Sequence, residues 1–170
     1  KQTLFAILEP DLGDALVLDL FAGSGAGGIE ALSRGAARAV FVERDRAAAR
    51  VIAENLGRTR LAERAEVVRG DVPGYLLGRA ASDGPFDLVL IDPPYAETDL
   101  AVRTLGLVGS PDAALLAGDA WVVVKHFWRT PPPEAVGLLA SVRARRFGET
   151  TLTFYRPAGT GTAEPKEADR

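Results

Sequence analysis

Hydrophobic positions along the chain fall into short runs separated by stretches of a different period. Residues 15–20, 39–42, 66–68, 86–91 and 120–124 are apolar and largely β-branched, which predicts strands. Between the first two, residues 28–33 carry Ile29 and Leu32 three apart and stop before Gly35, as a helix would. Between the next two, residues 46–56 repeat Ala48, Val51, Ile52 and Leu56 at three- and four-residue steps, the pattern of an amphipathic helix. Near-continuous apolar strands alternating with helices predict a parallel sheet covered on both faces. The last two runs, 141–146 and 151–155, are joined by a short turn at 147–150 containing Gly148. No crossover helix fits there, so this pair is expected to be an antiparallel hairpin. Pro131, Pro132 and Pro133 mark a loop, and from residue 157 the sequence turns to Gly, Thr, Pro and alternating charge. The expected architecture is α/β: one domain over 1–156, a seven-stranded, mostly parallel, doubly wound sheet ending in the hairpin, then a disordered tail over 157–170.

Composition narrows the function classes. With 170 residues, 47% hydrophobic and 25% charged, the chain reads as a single soluble globular domain. A net charge of −3 gives no global positive field toward nucleic acid, although local basic clusters remain. The absence of Cys rules out disulfides, thiolate metal sites and a cysteine nucleophile, and a single His, His126, excludes multi-His zinc sites, so no metal is expected. No apolar run approaches the roughly 20 residues that cross a bilayer. A cytoplasmic monomer with no membrane partner is the expectation. No Met is present, so the chain is expected to be a processed or truncated piece.

The first segment with chemistry in it is Asp19-Leu-Phe-Ala-Gly23-Ser-Gly25-Ala-Gly27-Gly28. Gly23, Gly25 and Gly28 satisfy G-x-G-x-x-G after a predicted strand and before a predicted helix, where backbone N–H groups can meet a ligand. A glycine turn with no ligand fits the same pattern. Acids at the strand ends add to it: Asp19, Glu43, Asp71 and Asp92 are separated by 24, 28 and 21 residues, about one strand–helix unit each time. In a parallel sheet these carboxylates share one edge and line one crevice. Any one of them, Asp71 above all, is also a natural helix N-cap. Glu43 stands where an acid accepts hydrogen bonds from ribose hydroxyls. Asp19 beside the glycines would face the pyrophosphate of a dinucleotide, but suits a ligand with a sulfonium and an ammonium group. The ligand indicated is S-adenosylmethionine rather than NAD.

The second segment is Leu90-Ile91-Asp92-Pro93-Pro94-Tyr95, directly after a predicted strand. Two prolines fix the backbone and remove two N–H donors, leaving carbonyls as rigid acceptors. An exocyclic NH2 on a nucleobase offers two donors, which Asp92 and the Pro93 carbonyl can accept. Acceptors aimed at the nitrogen stabilise the positive charge that develops as it attacks a methyl donor. Tyr95 would stack on a base drawn out of its helix. The bland alternative is a proline-rich turn leaving a strand.

These two segments together resemble the amino-methyltransferases with an (Asp/Asn)-Pro-Pro-(Tyr/Phe) motif. More narrowly, residues 18–36, LDLFAGSGAGGIEALSRGA, are similar to the bacterial small-subunit (16S) rRNA guanine-N2 methyltransferase family. Residues 4–8, LFAIL, and 146–150, RFGET, match as well, so the resemblance runs from Lys1 to about Arg156. It implies a Rossmann-like S-adenosylmethionine-dependent methyltransferase fold. It further implies Asp19, Gly23 and Gly25 on the methionine part of the cofactor, with Phe21, Ala22 and Ser24 in the same loop. Glu43 would take the ribose, Asp71 and Val72 the adenine, and Asp92, Pro93, Pro94 and Tyr95 the target guanine. The implied partner is 16S rRNA within a small-subunit assembly.

Three features depart from the family pattern. Gly27 stands for the usual Leu, and Lys125 lies where relatives commonly carry an acid. The family's basic segment upstream of Leu4 is not in the sequence, so a fragment beginning at Lys1 is expected to bind cofactor but methylate rRNA poorly. Basic residues with aromatic neighbours occur at Lys125-His126-Phe127-Trp128-Arg129, and Arg143, Arg145 and Arg146 lie on the later hairpin. Both stretches are candidates for RNA contact, with core packing or a solvated strand face as the alternatives. Rival functions are methylation of adenine N6 or cytosine N4, a nicotinamide-dependent oxidoreductase, and a non-catalytic RNA-binding module.

Overall fold

A computed structural model of the chain describes residues 2–159. Its strands are β1 (Leu16–Leu20), β2 (Arg38–Glu43), β3 (Ala65–Arg69), β4 (Phe86–Ile91), β5 (Leu116–Phe127), β6 (Ala135–Val136), β7 (Leu139–Phe147) and β8 (Thr150–Pro157). They form one sheet in the order β3-β2-β1-β4-β5-β8-β7-β6. Pairing is parallel from β3 through β5, and antiparallel from β5 through β8 and β7 to β6. The helices are α1 (Gln2–Leu8), α2 (Ala26–Ser33), α3 (Arg46–Thr59), α4 (Val72–Gly78), α5 (Ala80–Asp83) and α6 (Thr98–Val108).

Strand periodicity explains why both faces are covered. Successive residues point to opposite sides: Leu88 and Leu90 of β4 join one core cluster, whereas Val89 and Ile91 join the other. Phe5 and Leu8 of α1, Leu32 of α2 and Ile52 and Leu56 of α3 complete the first cluster. Tyr75 and Leu76 of α4 and Leu105 and Val108 of α6 complete the second. The chain therefore winds outward from β1 to β3 over one face, then returns across the other for β4 and β5. Strand order reverses between β1 and β4, and the crevice beyond their carboxyl ends is where doubly wound sheets bind ligands.

The expected mixed sheet is present, with eight strands rather than seven. The additional strand, β6, is a two-residue bridge after the prolines that pairs Ala135 with Ala140 and Val136 with Leu139. β5 is longer than 120–124, because its backbone pairs onward to Phe127 through β8 and back to Leu116 through Phe86. Pro157 closes β8 opposite Leu139 instead of opening a tail, and the Ala158 N–H donates to the Leu138 carbonyl at 2.6 Å. The rest of the expected disordered tail, 160–170, lies outside the described residues. Among the described residues no helix is long and apolar enough to cross a membrane.

Candidate active site

The crevice at the β1–β4 reversal opens into a cavity of about 910 Å³. Its floor is the loop between β1 and α2. Gly25 adopts a left-handed φ of 78° as it starts α2, where a Cβ would stand 3.0 Å from Ile52 Cγ2; only glycine takes that turn without strain. A Cβ on Gly28 would overlap the Phe41 ring of β2, so this glycine lets α2 lie close on the sheet. Its N–H is thereby brought to Asp19, whose Oδ2 accepts from it at 2.8 Å. Phe21, between β1 and the glycines, is itself left-handed at φ 58°, a conformation costing roughly 1–2 kcal/mol for a residue with a Cβ. The loop is held by its surroundings: the Ala22 N–H donates to the Val42 carbonyl, and Asn55 of α3 donates through Nδ2 to the Ser24 carbonyl at 3.0 Å.

Glu43, the last residue of β2, ties two loops together. Oε2 accepts from the Gly23 N–H and Oε1 from the Asp45 N–H, both at 2.8 Å. Each oxygen keeps a lone pair for a ligand hydroxyl. Asp71 does cap a helix, its Oδ1 accepting from the Gly74 N–H at 2.8 Å at the start of α4. It also lines the cavity, with Val72 beside it, so the cap and the site readings both describe this residue.

At the end of β4 the Asp-Pro-Pro-Tyr segment forms the opposite wall. The Pro94 carbonyl accepts from the Glu97 N–H at 3.0 Å, whereas the carbonyl of buried Pro93 has no donor among the described residues. Asp92 is half-exposed, and its Oδ2 accepts from Lys125 Nζ at 3.0 Å, leaving Oδ1 without a partner among the described residues. The Lys125 ammonium also lies 5.7 Å from the centre of the Tyr95 ring. Tyr95 is 54% exposed, yet its hydroxyl is fixed by a 2.7 Å hydrogen bond with Thr150 Oγ1 at the start of β8.

Electrostatics sets the character of this cavity. Asp19 is buried, and burial pushes its pKa up from 3.8 to about 7, opposed by the Gly28 N–H and reinforced by the charges of Asp92 and Glu43. Partial burial works against the Lys125 ammonium, but the hydrogen bond and charge of Asp92 outweigh it and hold its pKa above the usual lysine value. A cavity with three mutually repelling carboxylates, one of them desolvated, takes a cationic ligand readily and a pyrophosphate poorly. Among the described residues no group of three or more His, Asp or Glu is placed to hold a metal ion.

All the site positions inferred from sequence line this cavity except Gly25, which shapes it from the start of α2: Asp19, Phe21, Ala22, Gly23 and Ser24, then Glu43, Asp71 and Val72, and Asp92 through Tyr95. One candidate surface residue turns inward. His126 is only 7% exposed, with Nε2 on Thr153 Oγ1 and Nδ1 on the Phe127 carbonyl, each at 2.8 Å. Burial lowers its pKa, so it is a core residue of β5 and leaves the RNA-contact set. Sequence reasoning missed Asn55 and Thr150 as supports, and Leu4, Phe5 and Phe147 as walls of the cavity. The stretches 4–8 and 146–150 that carry the family resemblance contain four of these residues, but residue type alone gave none of them a role.

Known proteins similar to the chain share its fold. The model of a family described as Conserved hypothetical protein 95 matches residues 1–156. The Ribosomal RNA small subunit methyltransferase D of Escherichia coli K12 is 34% identical over 164 residues, 96% of this chain and 79% of its own. A solved structure of a conserved hypothetical protein from Streptococcus pyogenes superposes with a TM-score of 0.84 at 31% identity, covering 94% of this chain and 96% of that one. The RNA methyltransferase of Salinibacter ruber, solved with S-adenosyl-L-homocysteine, shares the fold at a TM-score of 0.65 and 20% identity, over 100% and 97% of the two chains.

Proposed function

The chain belongs to the Conserved hypothetical protein 95 family, and on that footing we propose that it transfers a methyl group from S-adenosylmethionine to the exocyclic N2 of a guanine in small-subunit (16S) rRNA. The observation that carries the reading is the single cavity joining buried Asp19, the Glu43-braced glycine loop and the Asp92–Tyr95 wall. Methylation of rRNA follows the names of the relatives. The guanine N2 target is the narrower inference and rests on the resemblance of residues 18–36 and 92–95.

The side chains present fit the cofactor. Desolvated Asp19 suits a sulfonium or ammonium neighbour, since a cation there would offset the burial that, helped by the charges of Asp92 and Glu43, raises its pKa. Glu43 would accept from the ribose hydroxyls, and Asp71 and Val72 would border the adenine. When bound, the cofactor supplies an electrophilic methyl carbon on a positively charged sulfur. Asp92 Oδ1 and the Pro93 carbonyl, both without donors among the described residues, would accept the two N–H bonds of the target amine. They would orient its lone pair away from themselves and favour the positive charge that grows on nitrogen as the N–C bond forms and the S–C bond breaks. Asp92 would accept the proton that nitrogen then sheds. Tyr95, fixed through Thr150 and exposed on its ring face, would stack on the base.

The test has two parts. Calorimetry should detect binding of S-adenosylmethionine and none of NAD. Mass mapping of rRNA after incubation with the protein and methyl donor should place the new methyl on a guanine of the small-subunit RNA. A methylated adenine or cytosine would keep the chemistry and overturn the base; no transfer to any rRNA would overturn the function.

A further inference from the structure

Several of the arginines are paired with acids. Arg34, Arg38, Arg44, Arg50, Arg79 and Arg156 each have a carboxylate oxygen within 3.5 Å. Among the arginines without such a partner, Arg129 and Arg146 are the pair that shares one aromatic ring. Both are exposed, and neither has a carboxylate partner among the described residues. Instead they gather on Trp128. The Arg146 guanidinium carbon lies 3.8 Å from the indole centre and that of Arg129 lies 4.8 Å away. Trp128 is in turn anchored through its backbone N–H, which donates to the Glu149 carbonyl at 3.0 Å, and Arg146 Nε donates to the Gly148 carbonyl at 2.8 Å.

Stacking and the Nε bond restrict the guanidinium of Arg146 while leaving its terminal N–H groups toward solvent. A pre-oriented fork of this kind loses little entropy when it meets a bidentate anion, and phosphate oxygens match its geometry. The location is also specific. Phe127 pairs with Thr150 across β5 and β8, and Thr150 holds Tyr95. A small hollow lined by Pro94, Tyr95, Lys125, Phe127 and Thr130 joins the Asp-Pro-Pro-Tyr wall to the segment bearing Trp128. Two cations without acid partners among the described residues, held on an aromatic platform beside the mouth of an acidic cavity, suit a polyanion whose one neutral base enters that mouth.

We propose that Arg129, Trp128 and Arg146 form the surface that grips the phosphate backbone of the RNA strand flanking the target nucleotide. This deepens the methyltransferase reading and rests on it for the identity of the nucleic acid. An acidic protein patch is the competing partner, and it would not require RNA at all.

The experiment is the salt dependence of binding to a labelled small-subunit rRNA transcript, measured by anisotropy over a series of KCl concentrations. Each phosphate contact contributes about 0.7 to the slope of log Kobs against log salt on a single strand and about 0.9 on a duplex. The double variant R129A/R146A should therefore reduce the slope by about 1.4 to 1.8, with affinity for S-adenosylmethionine unchanged. R129K/R146K should keep most of the slope, because the charges remain when the stacking weakens. R50A, which removes an arginine paired with Glu54 on α3, should leave the slope as it is. An unchanged slope in R129A/R146A, or an equal loss in the lysine variant, overturns the proposal. Failure is distinguishable from failure of the function itself. A wild-type protein that methylates rRNA while the double variant keeps its slope sinks only this surface. A protein that binds RNA through these arginines but transfers no methyl sinks only the activity.

Discussion

The parallel half of the sheet and its antiparallel end carry opposite charge in opposite ways. At the carboxyl ends of β1, β2, β3 and β4 stand Asp19, Glu43, Asp71 and Asp92, and the first three each accept a backbone N–H that shapes a loop. At the other end, Arg129 and Arg146 project to solvent around Trp128 with no carboxylate partner among the described residues. Lys125, at the seam between them, is paired with Asp92. A net charge of −3 hides this segregation. Acids on rigid strand ends, one of them buried, suit a small cation, whereas exposed cations at the antiparallel end suit an extended anion. The proposed reaction needs both, one for its cofactor and one for its RNA.

Two substitutions in the acidic half should separate chemistry from cofactor binding. Asp92→Ala removes an acceptor aimed at the target amine and should lower kcat by about 100-fold or more. Its cofactor dissociation constant should stay within a small factor of the wild type, and single-turnover transfer together with calorimetry measures both. A collapse of cofactor affinity with no further loss of turnover would move Asp92 to the cofactor side. Glu43→Ala should do the reverse, weakening S-adenosylmethionine by about 1.5–3 kcal/mol through the loss of charge-assisted bonds. Because Glu43 also holds the Gly23 and Asp45 N–H groups, a drop in thermal stability of the free protein should accompany it. An unchanged dissociation constant would leave Glu43 as a loop brace alone.

The acidic half was the legible one, and for a local reason. Glycines, prolines and strand-end acids act within a few residues of their own position, so their pattern in the sequence already states the turn they make. Asp71 is the clearest case, since its cap to Gly74 spans three residues and its place in the crevice follows from ending a parallel strand. The basic half depends on contacts that no local period records. Tyr95 meets Thr150 across 55 residues, and in the acidic half too a support of this kind escaped, Asn55 reaching Ser24 across 31. His126 reads as part of an exposed basic cluster, yet β5 continues through it and Thr153 of β8 covers it. β6 is two residues long and exists only because β7 is there to pair with it. α4 escaped for another reason: VPGYLLG contains Pro and Gly, but the Pro sits in the first turn, where its missing N–H has no partner to lose.

Asp19 sharpens the comparison through pH. Its pKa of about 7 in the free protein lies above the ordinary 3.8. Between those values the folded protein holds a proton that the unfolded chain does not, so this group's contribution to stability declines as pH rises through the window. The full effect is of the order of 4 kcal/mol. Affinity for a cationic cofactor should move the other way, rising with pH and levelling off above about 7, with a slope of at most tenfold per pH unit. Asp19→Asn keeps an acceptor for the Gly28 N–H and removes the charge, so it should flatten both profiles. Thermal melts and calorimetry across that range provide the measurement. Wild-type affinity independent of pH would mean that no cation lies near Asp19.

The smallest expected effect is at the seam. Lys125 neutralises Asp92 across 3.0 Å, but both side chains are partly exposed, at 36% and 49%, so solvent screens the pair. Lys125→Met removes a cation from a cavity proposed to hold another, and leaves the charge of Asp92 uncompensated beside Asp19. Repulsion of the cofactor should therefore fall and its affinity rise, by less than about 1 kcal/mol. The same change should raise the pH at which Asp19 ionises, because Asp92 already pushes that pKa upward. Methyl transfer should fall by only a small factor, since Asp92 keeps its place at the end of β4 and Oδ1 keeps its aim. Calorimetry against pH tests this directly: weaker cofactor binding in Lys125→Met would show that the ammonium holds the cofactor's own carboxylate, and the boundary between the two halves would then run through Lys125 instead of behind it.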